Sequence, residues 1–155
     1  MNIHRGKKLS AIAKKKDDIC KHLESGNEVN AKIWAETLIN EEGQIPCFDV
    51  VSTYCDQVNG RLTQIEKFGA PKDMNQAFAT IIHCAPKLDI KELMDVSKIL
   101  SKILADDFVR ECRSNYDLLN PVVSFHLCQQ LKSHASILTD YVFVLGREKY
   151  RLQET

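Results

Sequence analysis

Proline and glycine are scarce in this sequence, four and six among 155 residues, so few points along the chain force a turn. No stretch approaches the ~20 consecutive apolar residues that a membrane-spanning helix needs. The opening Met1-Asn2-Ile3-His4-Arg5 has no apolar core of the kind a secretory signal carries. Cys-x-x-Cys pairs are missing too. Cys20, Cys47, Cys55, Cys84, Cys112 and Cys128 stand singly, with no His-x-x-x-His beside them, which removes zinc spacing. They read as small hydrophobic side chains in a reducing compartment. The expectation is a cytoplasmic protein with no metal and no cofactor.

What is present suits folding rather than disorder. A hydrophobic fraction of 44% in 155 residues is enough for one domain with a real core, so residues 1–155 are read as a single domain with a short tail at 151–155. Net charge is zero, but it is unevenly placed. Residues 1–21 carry Arg5, Lys7, Lys8, Lys14, Lys15, Lys16 and Lys21 against Asp17 and Asp18, a net of +5 that leaves −5 elsewhere. Such an arm suits an anionic partner, or a second copy joined head to tail. A solvated lysine face on a first helix explains it as well.

Between the few breakers, apolar residues recur every three or four positions, the helical signal. A first helix is expected over residues 7–24, ending at Ser25-Gly26-Asn27. A second starts near Glu28 and runs to Gly69-Ala70-Pro71. Its later half carries the seam Val51, Tyr54, Cys55, Val58, Leu62 and Ile65. Gly43 and Pro46 interrupt it, and because apolar spacing resumes in phase the reading is a kink rather than a break. A third helix is expected over 74–84, stopped by Pro86. A fourth is expected over 90–113, with the stripe Leu93, Val96, Leu100, Ile103, Leu104 and Phe108. Asn120-Pro121 opens a fifth, Asn as cap and Pro at the first helical position. A sixth covers 136–150. No run alternates with period two, so the fold class is all-α, an antiparallel helical bundle. At 1.5 Å per residue the first helix is roughly 27 Å long and the second about 60 Å. The distal half of the second therefore needs other cover, and Val58 and Leu62 are expected against residues 93–108.

No catalytic constellation emerges. Asp17-Asp18, Glu41-Glu42 and Asp106-Asp107 are neighbours on helices, pointing about 100° apart, and read as solvated faces. His83-Cys84 is an adjacent nucleophile–base pair, but a helix sets the two side chains apart. Phosphate-cradling glycine loops and hydrolase motifs are missing. The lysines lack interleaved aromatics and no recognition-helix pattern is visible, so nucleic acid is not expected as a partner. Trp34 reads by default as a core or helix–helix contact.

The order of several short motifs resembles one family. Leu23-Glu24-Ser25-Gly26-Asn27-Glu28, Ala31-Lys32-Ile33, Glu36 and Ile39 are similar to the helical hairpin of the increased-sodium-tolerance (Ist) family. Tyr54-Cys55-Asp56, Ala85-Pro86-Lys87-Leu88, Glu92-Leu93, Asn120-x-x-Val123 and Ile137-Leu138-x-x-Tyr141 follow at matching distances. The resemblance covers about residues 14–145. It implies an ESCRT-III-like bundle built on a long two-helix hairpin. It also implies a non-enzymatic role in endosomal sorting and membrane scission, peripheral on endosomal membranes. The partners implied are ESCRT-III subunits, through the C-terminal helix of a charged multivesicular body protein, and a AAA ATPase. Two features depart from the family: the first helix starts almost at Met1, and the chain ends at Gln153-Glu154-Thr155 without the usual tail that engages the ATPase. The ATPase is therefore expected to be reached indirectly. A stand-alone cytosolic adaptor that binds one partner helix, without membrane binding or polymerisation, is the alternative; a helical enzyme is a distant third.

Two surfaces are singled out. Ile137, Leu138, Tyr141, Val144 and Leu145, with Val142 and Phe143 between them, cover more of a helix than one packed face requires. They are expected to help form a groove for a partner helix, the resemblance pointing the same way. Lys7, Lys8, Lys14, Lys15, Lys16 and Lys21 are the expected contact to an anionic membrane surface, held weakly, or to a polymer neighbour in self-assembly.

Overall fold

The structure, a computed structural model, describes residues 1–131. Every regular element among them is helical: α1 (Asn2–Glu24), α2 (Glu28–Gly60), α3 (Leu62–Phe68), α4 (Asn75–Leu88), α5 (Lys91–Ile103), α6 (Asp106–Ser114) and α7 (Pro121–Leu131), with 3-10 turns at Lys72–Met74 and Tyr116–Leu118. The all-α reading holds. The sixth expected helix, over 136–150, lies outside the described residues. Residues 2–45 form one compact unit and residues 46–126 another.

The 2–45 unit is a helical hairpin whose turn is written in three residues. Gly26 adopts φ +75°, the left-handed conformation that glycine reaches without steric cost. Around it, the Asn27 N–H donates to the His22 carbonyl at 2.8 Å and the Gly26 N–H to Leu23 at 3.1 Å, which closes the end of α1. Asn27 then opens α2, its Oδ1 accepting from the Asn30 N–H. Ile12 and Ile19 of α1 pack with Ala31, Ala35 and Leu38 of α2, and Leu23 and Ile45 flank them. The spacings, seven on one helix and four then three on the other, keep one face of each inward.

α2 is helical through Pro46 to Gly60, so the chain is not broken there. A proline inside a helix removes one hydrogen bond and crowds the preceding turn, at about 3 kcal/mol. Burial of Cys47, Phe48 and Val51 directly after it offsets part of that cost. The break comes instead at Arg61, between α2 and α3.

In the 46–126 unit, α4 is the centre. Residues 77–85 are buried without exception, and α4 packs against α5, α6 and both 3-10 turns. Pro86 does not stop this helix as expected. It sits in the last turn, and Asp89, in the left-handed conformation, ends the helix after Leu88. The expected fourth helix is two: Leu104 and Ala105 are extended, and α6 starts at Asp106 with Asp106 and Asp107 in its first turn, where carboxylates favour a helix N-terminus. Apolar spacing runs on across this corner, with no glycine or proline to mark it. Asn120 caps α7 as expected, its Oδ1 accepting from the Val122 N–H at 2.9 Å.

Candidate functional site: a lysine-faced hairpin and an apolar cleft

The six singled-out lysines divide by helix geometry. Ile12 and Ile19 fix which side of α1 meets α2. Lys8 and Lys15 lie to one side of that seam and Lys16 to the other. All three are held by the acidic pair on α2: Lys15 Nζ is 2.5 Å from Glu41 Oε1, Lys8 Nζ 4.0 Å from the same oxygen, and Lys16 Nζ 2.8 Å from Glu42 Oε1. Glu41 and Glu42 are thus not the solvated pair expected. Lys7, Lys14 and Lys21, spaced by seven, fall on the opposite face and are exposed. None of the three pairs with a carboxylate among the described residues. The outward positive charge of α1 is consequently a row of single lysines two turns apart, sparser than the sequence count of seven suggests.

Trp34 is not a core residue. It is 39% exposed, and Val29 and Ile33 beside it are 70% and 57% exposed. The helix period places Val29 and Ile33 on the side away from Ala31, Ala35 and Leu38, whereas Trp34, three residues from Ala31 and four from Leu38, falls at the edge of the packed face.

In the 46–126 unit an apolar cleft of about 250 Å³ opens between α2–α3 and α5, floored by Ile81 of α4. Val58, Leu62 and Ile65 line one wall, and Val96, Ile99, Leu100 and Ile103 the other. The expectation that Val58 and Leu62 would face α5 is met, Val58 buried and Leu62 still 48% exposed. Nearby, a polar clasp joins α2, α4 and the start of α7. Asn120 Nδ2 donates to the Tyr54 hydroxyl at 2.8 Å, which donates to Gln76 Oε1 at 3.3 Å. The Asn120 N–H donates to Thr80 Oγ1 at 3.0 Å.

His83 and Cys84 diverge as their helix requires. His83 Nδ1 lies 3.0 Å from the Cys112 carbonyl of α6, and its ring meets Tyr116 edge-on with centroids 5.4 Å apart. Burial pushes its pKa down, so the neutral ring donates from Nδ1 to that carbonyl. Cys84 is buried instead among apolar neighbours, and the Cys47 thiol of α2 together with burial pushes its pKa up. The two halves of the candidate pair therefore serve different helix contacts. No group of three or more His, Cys, Asp or Glu side chains among the described residues is arranged to hold a metal ion, and no described helix is long and apolar enough to cross a membrane. Ile137, Leu138, Tyr141, Val144 and Leu145 lie outside the described residues.

A glycine-turned hairpin followed by short packed helices defines an ESCRT-III-like helical protein. Residues 1–143 match the Ist1 family, described as regulator of Vps4 activity in the MVB (multivesicular body) pathway. The chain belongs to the Ist1 family. An IST1-like protein of Dictyostelium discoideum is 26% identical over 101 residues, 64% of this chain. That match takes in 27% of the relative, so the chain spans about a quarter of its length.

Proposed function

We propose that this chain is a non-enzymatic regulatory subunit that binds ESCRT-III subunits and, through them, governs Vps4-driven recycling in multivesicular-body sorting and membrane scission. The observation that supports it is the family match, which runs from the first residue to residue 143. The described surfaces suit such a role, because they offer an apolar cleft and a lysine row rather than a catalytic cluster. In this reading Ile137, Leu138, Tyr141, Val144 and Leu145 form the groove that takes the C-terminal helix of a charged multivesicular body protein. A few apolar anchors carry most of the energy in that recognition mode. Lys7, Lys14 and Lys21 give weak contact to anionic membrane in this reading, in keeping with a cytoplasmic protein peripheral on endosomal membranes.

The experiment is a pair of substitutions, Tyr141→Asp and Leu145→Asp, each read by thermal unfolding and by affinity for an ESCRT-III C-terminal peptide. The groove requires that at least one variant keep its melting temperature and lose the peptide. Unfolding of both, or full binding by both, removes the groove from this helix. The pairing of Lys8, Lys15 and Lys16 with Glu41 and Glu42 favours a second reading, an adaptor that binds a partner helix without touching membrane. Liposome binding separates the two.

A further inference from the structure

Two of the short motifs that carry the family resemblance, Tyr54-Cys55-Asp56 and Asn120-x-x-Val123, meet in the 46–126 unit, although Tyr54 and Asn120 are 66 residues apart. The Asn120 amide donates to the Tyr54 hydroxyl at 2.8 Å, and that hydroxyl donates to Gln76 Oε1 at 3.3 Å. The other end of the Gln76 amide donates to the Leu119 carbonyl at 3.4 Å. Leu119 and Asn120 share a peptide bond, so these contacts close a ring from α2 to α4, to the corner before α7, and back to α2. In such a ring each side chain is oriented by its neighbour.

The inner side of the ring is Thr80, which is fully buried. Its hydroxyl donates to the Gln76 carbonyl at 2.8 Å and accepts from the Asn120 N–H at 3.0 Å. Asn120 Oδ1 accepts from the Val122 N–H at 2.9 Å, and the Asn120 carbonyl accepts from the Ser124 N–H at 3.0 Å. Each polar atom of Asn120 is therefore engaged, with α2, with α4 or with the first turn of α7. Gln76 is exposed and Tyr54 half-buried. Water can take the place of these two rim contacts while Thr80 and the core stay as they are.

Packing alone holds the start of α7 weakly. Among residues 121–126 only Val123 is buried, and Val122 and Phe125 are 45% and 58% exposed. In α4, by contrast, residues 77–85 are buried without exception. Elements with few buried side chains open locally before the rest of a domain unfolds. The 11 residues of α7 span about 16 Å at 1.5 Å each, so a tilt of roughly 20° at its start carries its end about 5 Å. Residues 137–145, read as the partner groove, follow that end in the sequence.

We propose that the ring through Tyr54, Gln76 and Asn120 is a latch, which fixes the start of α7 on α2 and α4 and thereby holds the segment after α7 where it can take a partner helix. Tyr54 is a positioning residue in this device, acting on the partner through Asn120. The consequence for binding rests on the partner-groove reading, whereas the hold on α7 rests on the ring alone. With the ring closed, α7 has one direction. With it open, α7 samples several, the binding-competent fraction of chains falls, and apparent affinity falls in proportion.

The test is amide hydrogen exchange on the folded full chain, with affinity for an ESCRT-III C-terminal peptide measured beside it. Tyr54→Phe removes the hydroxyl and leaves the Asn120 cap in place. Exchange over residues 122–131 is expected to speed up roughly five- to tenfold, with residues 77–85 unchanged and peptide affinity lower by about the same factor. Asn120→Ser, whose shorter side chain caps α7 but does not reach Tyr54, should act alike, and the double variant no more strongly. Glu41→Gln in the hairpin is the control: it lowers stability, yet should leave α7 exchange and peptide affinity as they were. Unchanged exchange over residues 122–131 in Tyr54→Phe overturns the latch. So does faster exchange throughout, α4 included, which would make the ring a general stabilising contact. Local release of α7 with full peptide affinity overturns the positioning role. If the unaltered chain does not bind the peptide, the groove reading fails, while local release of α7 still supports the latch.

Discussion

Lys15 of α1 and Glu41 of α2 form an ion pair, Nζ 2.5 Å from Oε1, with only 20% and 17% of their side chains exposed. Two charges that far out of water depend on each other, because removing one leaves the other partly desolvated and unpaired. Glu41→Gln is expected to cost about 1–2 kcal/mol in urea unfolding, between the values typical of surface and buried pairs. Glu42→Gln is expected to cost less, since Lys16 and Glu42 are 42% and 32% exposed. Equal losses from the two would show that Glu41 has no special place in the hairpin.

The lysine row on the far side of α1 makes a separable prediction. Lys7, Lys14 and Lys21 are each expected to contribute about 1 kcal/mol to binding an anionic bilayer, an attraction that fades within a Debye length. Exchanging all three for glutamate is expected to abolish co-sedimentation with acidic liposomes at low salt and leave the melting temperature unchanged. Exchanging the paired Lys8, Lys15 and Lys16 is expected to lower the melting temperature as well. Undiminished sedimentation after loss of the outward row would make that row a solvated face.

Much of this architecture is legible in the residues, and the failures share a cause. Ser25-Gly26-Asn27 announced the hairpin turn and Asn120-Pro121 the start of α7, because glycine takes the left-handed turn conformation without cost and an asparagine side chain caps the helix that follows in each case. The seam from Val51 to Ile65 pointed to a cover on the 93–108 stretch, and Val58 and Leu62 face α5 there. The corner at Leu104-Ala105 was not legible, since leucine and alanine are strong helix formers and argue for continuation where the chain turns extended. Nor was the tolerance of Pro86, which depends on its place in the final turn before Asp89. Glu41 and Glu42 looked solvated because a charge pattern on one helix says nothing about which lysines a second helix brings opposite.

The clasp at Tyr54 and Asn120 is expected to behave as a coupled pair. Asn120→Ala removes the α7 cap and the bond to Tyr54, and should cost about 1–2 kcal/mol. Tyr54→Phe should cost about 1 kcal/mol. If the hydroxyl and the amide act together, the double variant loses less than the two single losses combined. Strict additivity in urea unfolding would dissolve the clasp into independent contacts.

His83 gives the fold a pH dependence whose sign follows from its burial. Burial holds its folded pKa below the ordinary histidine value of about 6.5, so the unfolded chain takes up a proton first as pH falls. Stability from this group is therefore complete above about pH 6.5 and is lost as the pH drops through the folded value. Melting temperatures measured from about pH 7.5 to 5 should fall, and His83→Phe should flatten that part of the decline while lowering stability at neutral pH, because the bond to Cys112 is gone. An unchanged slope in the variant would assign the dependence elsewhere.

The central claim is that this Ist1-family chain regulates Vps4 through ESCRT-III subunits. The most direct measurement is the ATPase rate of purified Vps4 with a charged multivesicular body protein present, titrated with this chain. The account predicts a saturable change in rate that requires the ESCRT-III subunit and is lost with Leu145→Asp in its folded form. A rate that stays constant across the titration, with the chain folded throughout, would contradict it.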